Sequence, residues 1–206
     1  LEQPVRLAPW APSRRLVGGA LAASVGVIAA GLVVANWRAP ASTLDYAFIR
    51  RANLGLGAAC DFSDVYHATF ECRTGATPEI LIWGDSYAMH WVAGIRHSTG
   101  ASVMQATRST CGPLIGLSVF RDEGAYNRTW ATKCVRFNDD VIAELRGRPD
   151  VQTVVLASFF GQYLTGNKLI VRAPDGAEQE IEGSEDLAVQ GLLATVQAVR
   201  AMGKRV

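Results

Sequence analysis

The sequence is sparing with charge. Asp, Glu, Lys and Arg make up 19% of its 206 residues against 49% hydrophobic, which suits a globular core plus one very apolar segment and excludes a disordered chain. The charges nearly cancel, to a net +1, so nothing draws the chain toward nucleic acid and no nucleic-acid partner is expected. Histidine and cysteine are scarce. His67, His90 and His97 do not fall at zinc-finger spacing, and none of Cys60, Cys72, Cys111 and Cys134 forms a C-x-x-C pair, so no metal site is expected. Internal repeats and low-complexity tracts are also missing, which excludes repeat architectures. The length suits one ordinary domain rather than two large ones. The first residue is Leu1 rather than Met, and Val206 falls inside an unfinished element, so the sequence reads as an excerpt of a longer protein.

One stretch lacks charge altogether. Leu16 to Trp37 reads LVGGALAASVGVIAAGLVVANW, and a bilayer core needs ~20 apolar residues at a rise of ~1.5 Å each. Arg14 and Arg15 precede it and Arg38 follows, a weak positive-inside bias that puts the N-terminus in the cytoplasm, with Trp37 at the far interface. A signal peptide would have a shorter apolar run and a Met nearby. A buried core helix would not be apolar all round, so the segment is read as a transmembrane helix. The rest then lies outside the cytoplasm, where disulfides persist. Four cysteines allow three pairings. The local one, Cys60–Cys72 with Cys111–Cys134, closes two short loops and would stabilise the fold by ~3 kcal/mol per bridge; four reduced, buried thiols are the alternative. The expected division is residues 1–15 on the cytoplasmic side, 16–37 spanning, 38–70 a linker and lead-in containing Pro40, and 71–206 a folded domain.

That domain alternates strand and helix. Glu79–Trp83 is a short apolar run between Pro78 and Gly84, hence a buried strand, followed by a helix over Tyr87–Ser98. Ala101–Ala106 reads as a second strand. A Cys-Gly-Pro loop and a longer excursion reach Asn127, and the segment up to Arg146 is helical with Cys134, Phe137, Val141, Ile142 and Leu145 on one face. Thr153–Ala157 is a third buried strand. Leu169–Val171 and Glu180–Ile181 flank Pro174-Asp175-Gly176 as a surface hairpin whose Glu178, Glu180 and Glu182 are solvated. Ser184 caps a last helix, with Glu185 and Asp186 in its first turn and Val189, Leu192, Leu193, Val196 and Val199 on its apolar face. Lys204-Arg205-Val206 begins a fourth strand. Short apolar strands joined by helices imply an α/β fold, a parallel sheet with helices on both faces.

The chemistry concentrates in Ile80–Trp91, ILIWGDSYAMHW. A buried strand ends at Gly84, which permits a tight turn, and Ser86 stands where the chain turns into a helix. Ligand sites in open α/β sheets form at the carboxyl ends of strands, and helix-start N–H groups there can stabilise an oxyanion. The plain alternative makes Ser86 the helix N-cap. Asp85 is read as bracing the loop, because adjacent side chains point apart. His90, one turn beyond Ser86, is read as a packing or surface residue rather than a base, and His97 as favouring the helix dipole. Trp83, Trp91, Trp130 and Tyr163 are read first as packing residues and second as sugar contacts.

Gly84-Asp85-Ser86 with Ala88, Met89, His90 and Trp91 in the following helix resembles the SGNH (GDSL-like) hydrolases, and more narrowly the SGNH domain fused to acyltransferase-3 membrane proteins. Leu1-Glu2-Gln3-Pro4-Val5-Arg6 is similar to the Glu-x-Pro-x-Arg ending of the acyltransferase-3 domain, and Leu16–Trp37 to the added helix that links the two domains. Ser109–Leu114 resembles the family's Cys-x-Pro loop, and Cys134–Asn138 its Cys-x-x-Phe-Asn segment. The resemblance implies a flavodoxin-like parallel sheet, incomplete at its C-terminus, on the periplasmic side of a bacterial inner membrane. It implies O-acyl transfer, typically acetyl, to an extracytoplasmic glycan such as lipopolysaccharide O-antigen, with Ser86 as nucleophile. The Ser86 amide and a loop glycine, Gly112 or Gly116, would form the oxyanion hole, supported by Gly84 and Asp85. The domain itself would bind no cofactor, and acetyl-CoA would serve the upstream membrane domain. The base and its orienter would come from an Asp-x-x-His motif, which this sequence lacks. It departs from the family elsewhere as well. Where a Gly-x-Asn-Asp motif follows the third strand, this chain reads Ala157-Ser158-Phe159-Phe160-Gly161, and position 87 is Tyr rather than His. A carbohydrate esterase and a non-catalytic glycan-binding module remain as rival readings.

Overall fold

The computed structural model describes residues 13–37 and 44–206. The Leu1–Arg6 stretch, Arg38 and Pro40 lie outside the described residues. The chain divides into two compact units, Leu1–Arg51 and Ala52–Val206.

In the first unit, helix α1 spans Ser13–Asn36. Arg14–Asn36 has a mean hydropathy of 2.2 and is long and apolar enough to cross a membrane. Its Leu, Val and Ile side chains are exposed all round, as a helix surrounded by lipid requires. A single turn, α2 (Tyr46–Ile49), follows, capped by Asp45, whose carboxylate accepts the Phe48 N–H.

The second unit is built on strands β1 (Ile80–Gly84), β2 (Val103–Thr107) and β4 (Thr153–Ala157), parallel in the order β2-β1-β4. The expected parallel sheet is present. Its period-two alternation splits the core. Ile82 and Val103 face helix α3 (Ser86–Thr99) and its Ala88 and Val92 on one side. Leu81, Trp83, Met104, Ala106 and Val154 face the other side, against Phe137, Val141, Ile142 and Leu145 of α4 (Arg128–Arg146). All five positions read as the apolar face of α4, Cys134 included, are buried. Residues 52–79 run along the outer edge of β2. Phe62 donates its N–H to Thr107 O, and Thr74 donates to Val103 O. Cys60–Cys72 ties this segment to itself, and Cys111–Cys134 ties the loop after β2 to α4. Both bridges are the local pairing. Arg205 forms a parallel bridge with Thr153, so the fourth strand starts on the far edge of β4.

Three expectations need correction. The excursion after the Cys-Gly-Pro loop contains a strand, β3 (Leu117–Phe120), which pairs antiparallel with β5 (Lys168–Arg172), itself paired with β6 (Glu178–Glu182). The hairpin read around Pro174-Asp175-Gly176 is present as β5 and β6, and β3 extends it into a second sheet packed on α4 through Phe120, Ala131 and Ile170. Its acidic residues are engaged rather than merely solvated. Glu178 accepts from Thr132 Oγ1 and pairs with Arg172, Glu180 pairs with Arg128, and Glu182 accepts the Gly166 N–H. Lastly, the buried face of α5 (Glu185–Ala201) is Ala188, Thr195 and Val199, while Val189 and Leu193 are exposed. Gly191 lets α5 approach Leu114 and Leu117, and Thr195 Oγ1 accepts the Ile115 N–H, which sets that rotation.

Candidate functional site

The end of β1 is built around a close approach. A Cβ on Gly84 would overlap the Ala157 carbonyl oxygen of β4, so only glycine fits where the two strands finish side by side. Asp85 follows, buried, and it is the N-cap of α3: its Oδ1 accepts the Tyr87 N–H at 2.9 Å. Ser86 is therefore the first residue inside the helix rather than its cap. It is half-exposed, and among the described residues neither its amide nor its hydroxyl has a hydrogen-bond partner. An uncommitted donor at a helix start, where the dipole favours negative charge, leaves this corner able to receive an anion or a polarised carbonyl.

Asp85 does the bracing expected of it. Its other oxygen, Oδ2, accepts from Ser158 Oγ at 2.6 Å, from the Phe159 N–H at 3.0 Å and from Gln162 Nε2 at 3.4 Å. One carboxylate thus holds the turn after β1 to the turn after β4. The loop after β2 is held as firmly. Arg108 donates its N–H to Gly84 O, and Ser109 gives both its N–H and its hydroxyl to Asp61. The Arg108 guanidinium is buried 3.8 Å over the Trp130 ring with Nη1 donating to Asp64 O; burial pushes its pKa down to about 10 against the opposing pull of Asp64 and Asp61.

Neither candidate loop glycine reaches Ser86. The Gly112 N–H donates to Tyr163 Oη at 2.8 Å in a buried contact, and Gly116 lies at the start of β3, where its carbonyl accepts the Arg172 N–H. Asn138 is structural: Trp83 Nε1 donates to its Oδ1, and its Nδ2 donates to Gly112 O and Leu114 O.

Ser86 opens on a pocket of about 270 Å³ lined by Asp85, Tyr87, Thr110, Arg121, Phe159 and Gln162, with Gly161 and Asn167. Three of its walls are turns at the carboxyl ends of β1, β2 and β4, where the α/β rule places a ligand. Arg121 and Asn167 come from the second sheet's connections, which sequence reading left as an excursion and a hairpin. Tyr87 and Phe159 are both exposed and stack at 5.8 Å. Of the four aromatics considered as sugar contacts, Trp83 and Tyr163 are sealed in the core, Trp130 lies under Arg108, and Trp91 is exposed on α3 outside the pocket. No histidine among the described residues lines the pocket. His90 is exposed with its ring 6.4 Å from Tyr87, and His67 packs on Phe62. The described residues also hold no group of three or more His, Cys, Asp or Glu side chains able to bind a metal ion.

A serine at a strand-to-helix corner, a carboxylate holding the turn, and a parallel sheet beneath it define an α/β domain of the serine esterase type in its layout. The family profile for the SGNH domain (fused to AT3 domains) matches residues 59–206, and the chain belongs to that family. Membership places it with SGNH hydrolase-like domains of the esterase and acyltransferase type that occur joined to AT3 membrane domains. No curated protein and no solved structure matches the chain.

Proposed function

We propose that this chain transfers an acyl group, acetyl in the simplest case, to a glycan hydroxyl on the periplasmic side of a bacterial inner membrane, with Ser86 as the nucleophile. One observation carries the reading: Ser86 lines a pocket at the carboxyl end of β1, and its hydroxyl and amide are both unpartnered among the described residues. In the first half-reaction Ser86 Oγ attacks the carbonyl carbon of an acyl donor, its proton passes to a base, and the donor's leaving group departs. In the second, a sugar hydroxyl attacks the acyl-serine, gives up its proton to the same base and regenerates Ser86. A helix α1 long enough to span and two disulfides fit an extracytoplasmic domain on a membrane anchor. The stacked Tyr87 and Phe159 offer apolar ring faces to the C–H face of a sugar. Acetyl-CoA belongs to the AT3 domain, which supplies the acyl group, and an Asp-x-x-His motif outside the described residues supplies the base.

The segment after β4, Ala157-Ser158-Phe159-Phe160-Gly161 in place of a Gly-x-Asn-Asp motif, favours a second reading, a glycan-binding module that has lost catalysis. Two measurements separate them. An alkyl phosphonofluoridate should label Ser86 in the full-length protein, and the Ser86→Ala variant should abolish acylation of the envelope glycan in cells, read by mass spectrometry. Glycan acylation unchanged in Ser86→Ala would overturn the nucleophile assignment, whereas retained glycan binding without labelling would establish the module.

A further inference from the structure

Wherever else the described chain turns through a positive φ it uses glycine, at nine positions; Thr110, at φ 62°, is the exception. A β-branched residue is disfavoured there, and such strain persists only where the surroundings over-determine it. The surroundings here do. Asp61 fixes Ser109 on one side, and on the other Cys111 is held by its disulfide to Cys134 and by its N–H to Arg108 O. Gly112 is pinned by Tyr163 and Asn138. Thr110 alone in this loop lines the Ser86 pocket, half-exposed, and its amide has no partner among the described residues.

We propose that this strained backbone presents the Thr110 N–H as the second donor of the oxyanion site, in the place expected of a loop glycine. The inference rests on the serine chemistry proposed above. As the bond from Ser86 Oγ to the acyl carbon forms, the carbonyl π pair moves onto oxygen, and the Ser86 and Thr110 amides receive that charge from two separately anchored turns. The same site receives the phosphoryl oxygen when Ser86 displaces fluoride from a phosphonofluoridate. A glycine would reach the same φ without strain, but threonine's narrower range of backbone states keeps the amide aimed in advance, which is where such donors gain their effect.

The test measures the rate constant of Ser86 phosphonylation in full-length protein. Replacing the Thr110 amide by an ester, with the α-hydroxy analogue of threonine incorporated at that position, should slow labelling by ~10²–10³-fold, the loss typical of one oxyanion donor. The same amide-to-ester exchange at Thr165, which is exposed and outside the pocket, should leave labelling close to the wild-type rate. A Thr110 ester protein that labels at the wild-type rate, or a Thr165 ester protein that loses the rate equally, would overturn the assignment. Should the Thr110 ester protein fail to fold, the Thr110 amide proton in ¹⁵N-threonine-labelled wild-type protein decides the matter. It should move downfield once Ser86 is phosphonylated, and an unmoved resonance would refute the donor. A wild-type protein that is not labelled at all would instead overturn the Ser86 reading.

Discussion

Replacing Asn138 with alanine probes the joint between the core and the loop after β2. The carboxamide makes three buried hydrogen bonds, at 2.9 Å from Trp83 Nε1, 2.9 Å to Gly112 O and 3.0 Å to Leu114 O. Asn138 and Trp83 are fully buried, so water does not replace the lost partner without opening the structure. Each group left unsatisfied costs ~1–3 kcal/mol. Partial relaxation at the two carbonyls keeps the expected total near the low end, about 3–5 kcal/mol. For a domain of this size that corresponds to a fall in Tm of about 6–20 °C, at ~2–4 °C per kcal/mol. The assay is thermal and urea unfolding of the protein in detergent, followed by tryptophan fluorescence, with Trp83→Phe and the double variant completing a cycle. The Trp83–Asn138 pair should show a coupling of about 1 kcal/mol. A loss below about 1 kcal/mol for Asn138→Ala, or full wild-type stability in Asn138→Leu, would refute the account of Asn138 as the buried tie.

Two further outcomes follow from buried groups elsewhere. Reducing Cys60–Cys72 and Cys111–Cys134, which close loops of 12 and 23 residues in sequence separation, should cost ~3 kcal/mol each by the loop-entropy relation. Mass spectrometry after alkylation should find no reactive thiol before reduction and four after it, and thiols reactive in the unreduced, denatured protein would contradict the pairing. Stability should also fall above pH 10. Burial raises the pKa of Tyr66 and Tyr163 above the ordinary tyrosine value, so there the unfolded chain has lost phenolic protons that the folded chain keeps. Arg108, lowered to about 10 by burial, acts in the opposite sense, because the folded state releases its proton first. Lys204, also lowered by burial, opposes the tyrosines in the same way, so the two phenols prevail by less than about 1 kcal/mol between pH 10 and 11. Melting curves at pH 9, 10 and 11 check this, and a Tm that rises over that range would show the sign to be wrong.

Local pattern carried much of this fold. The apolar runs at Ile80–Trp83 and Thr153–Ala157 and the spaced apolar face of α4 are legible because burial demands them of the residues themselves. Gly84-Asp85-Ser86 placed the candidate serine because a strand-to-helix corner needs a glycine and a capping carboxylate within three residues. The α5 face was misread because hydrophobicity alone favoured Val189 and Leu193, whereas a buried Thr195 bonded to Ile115 set the rotation. Strand β3 went unseen because four residues make too short a pattern, and its partner β5 lies about fifty residues away.

The sequence by itself therefore determined the apolar helix, the alternation of strand and helix, the family and the serine. Each of these is written in neighbours along the chain. The tertiary structure alone decided what faces that serine. Arg121, Asn167, Gln162 and Phe159 line its pocket from two distant connections, the Gly112 N–H is taken by Tyr163, and Thr110 is the residue of its loop at the pocket. Which residue of a loop lines the pocket depends on hydrogen bonds and disulfides made by residues far apart in sequence, and no local pattern records those.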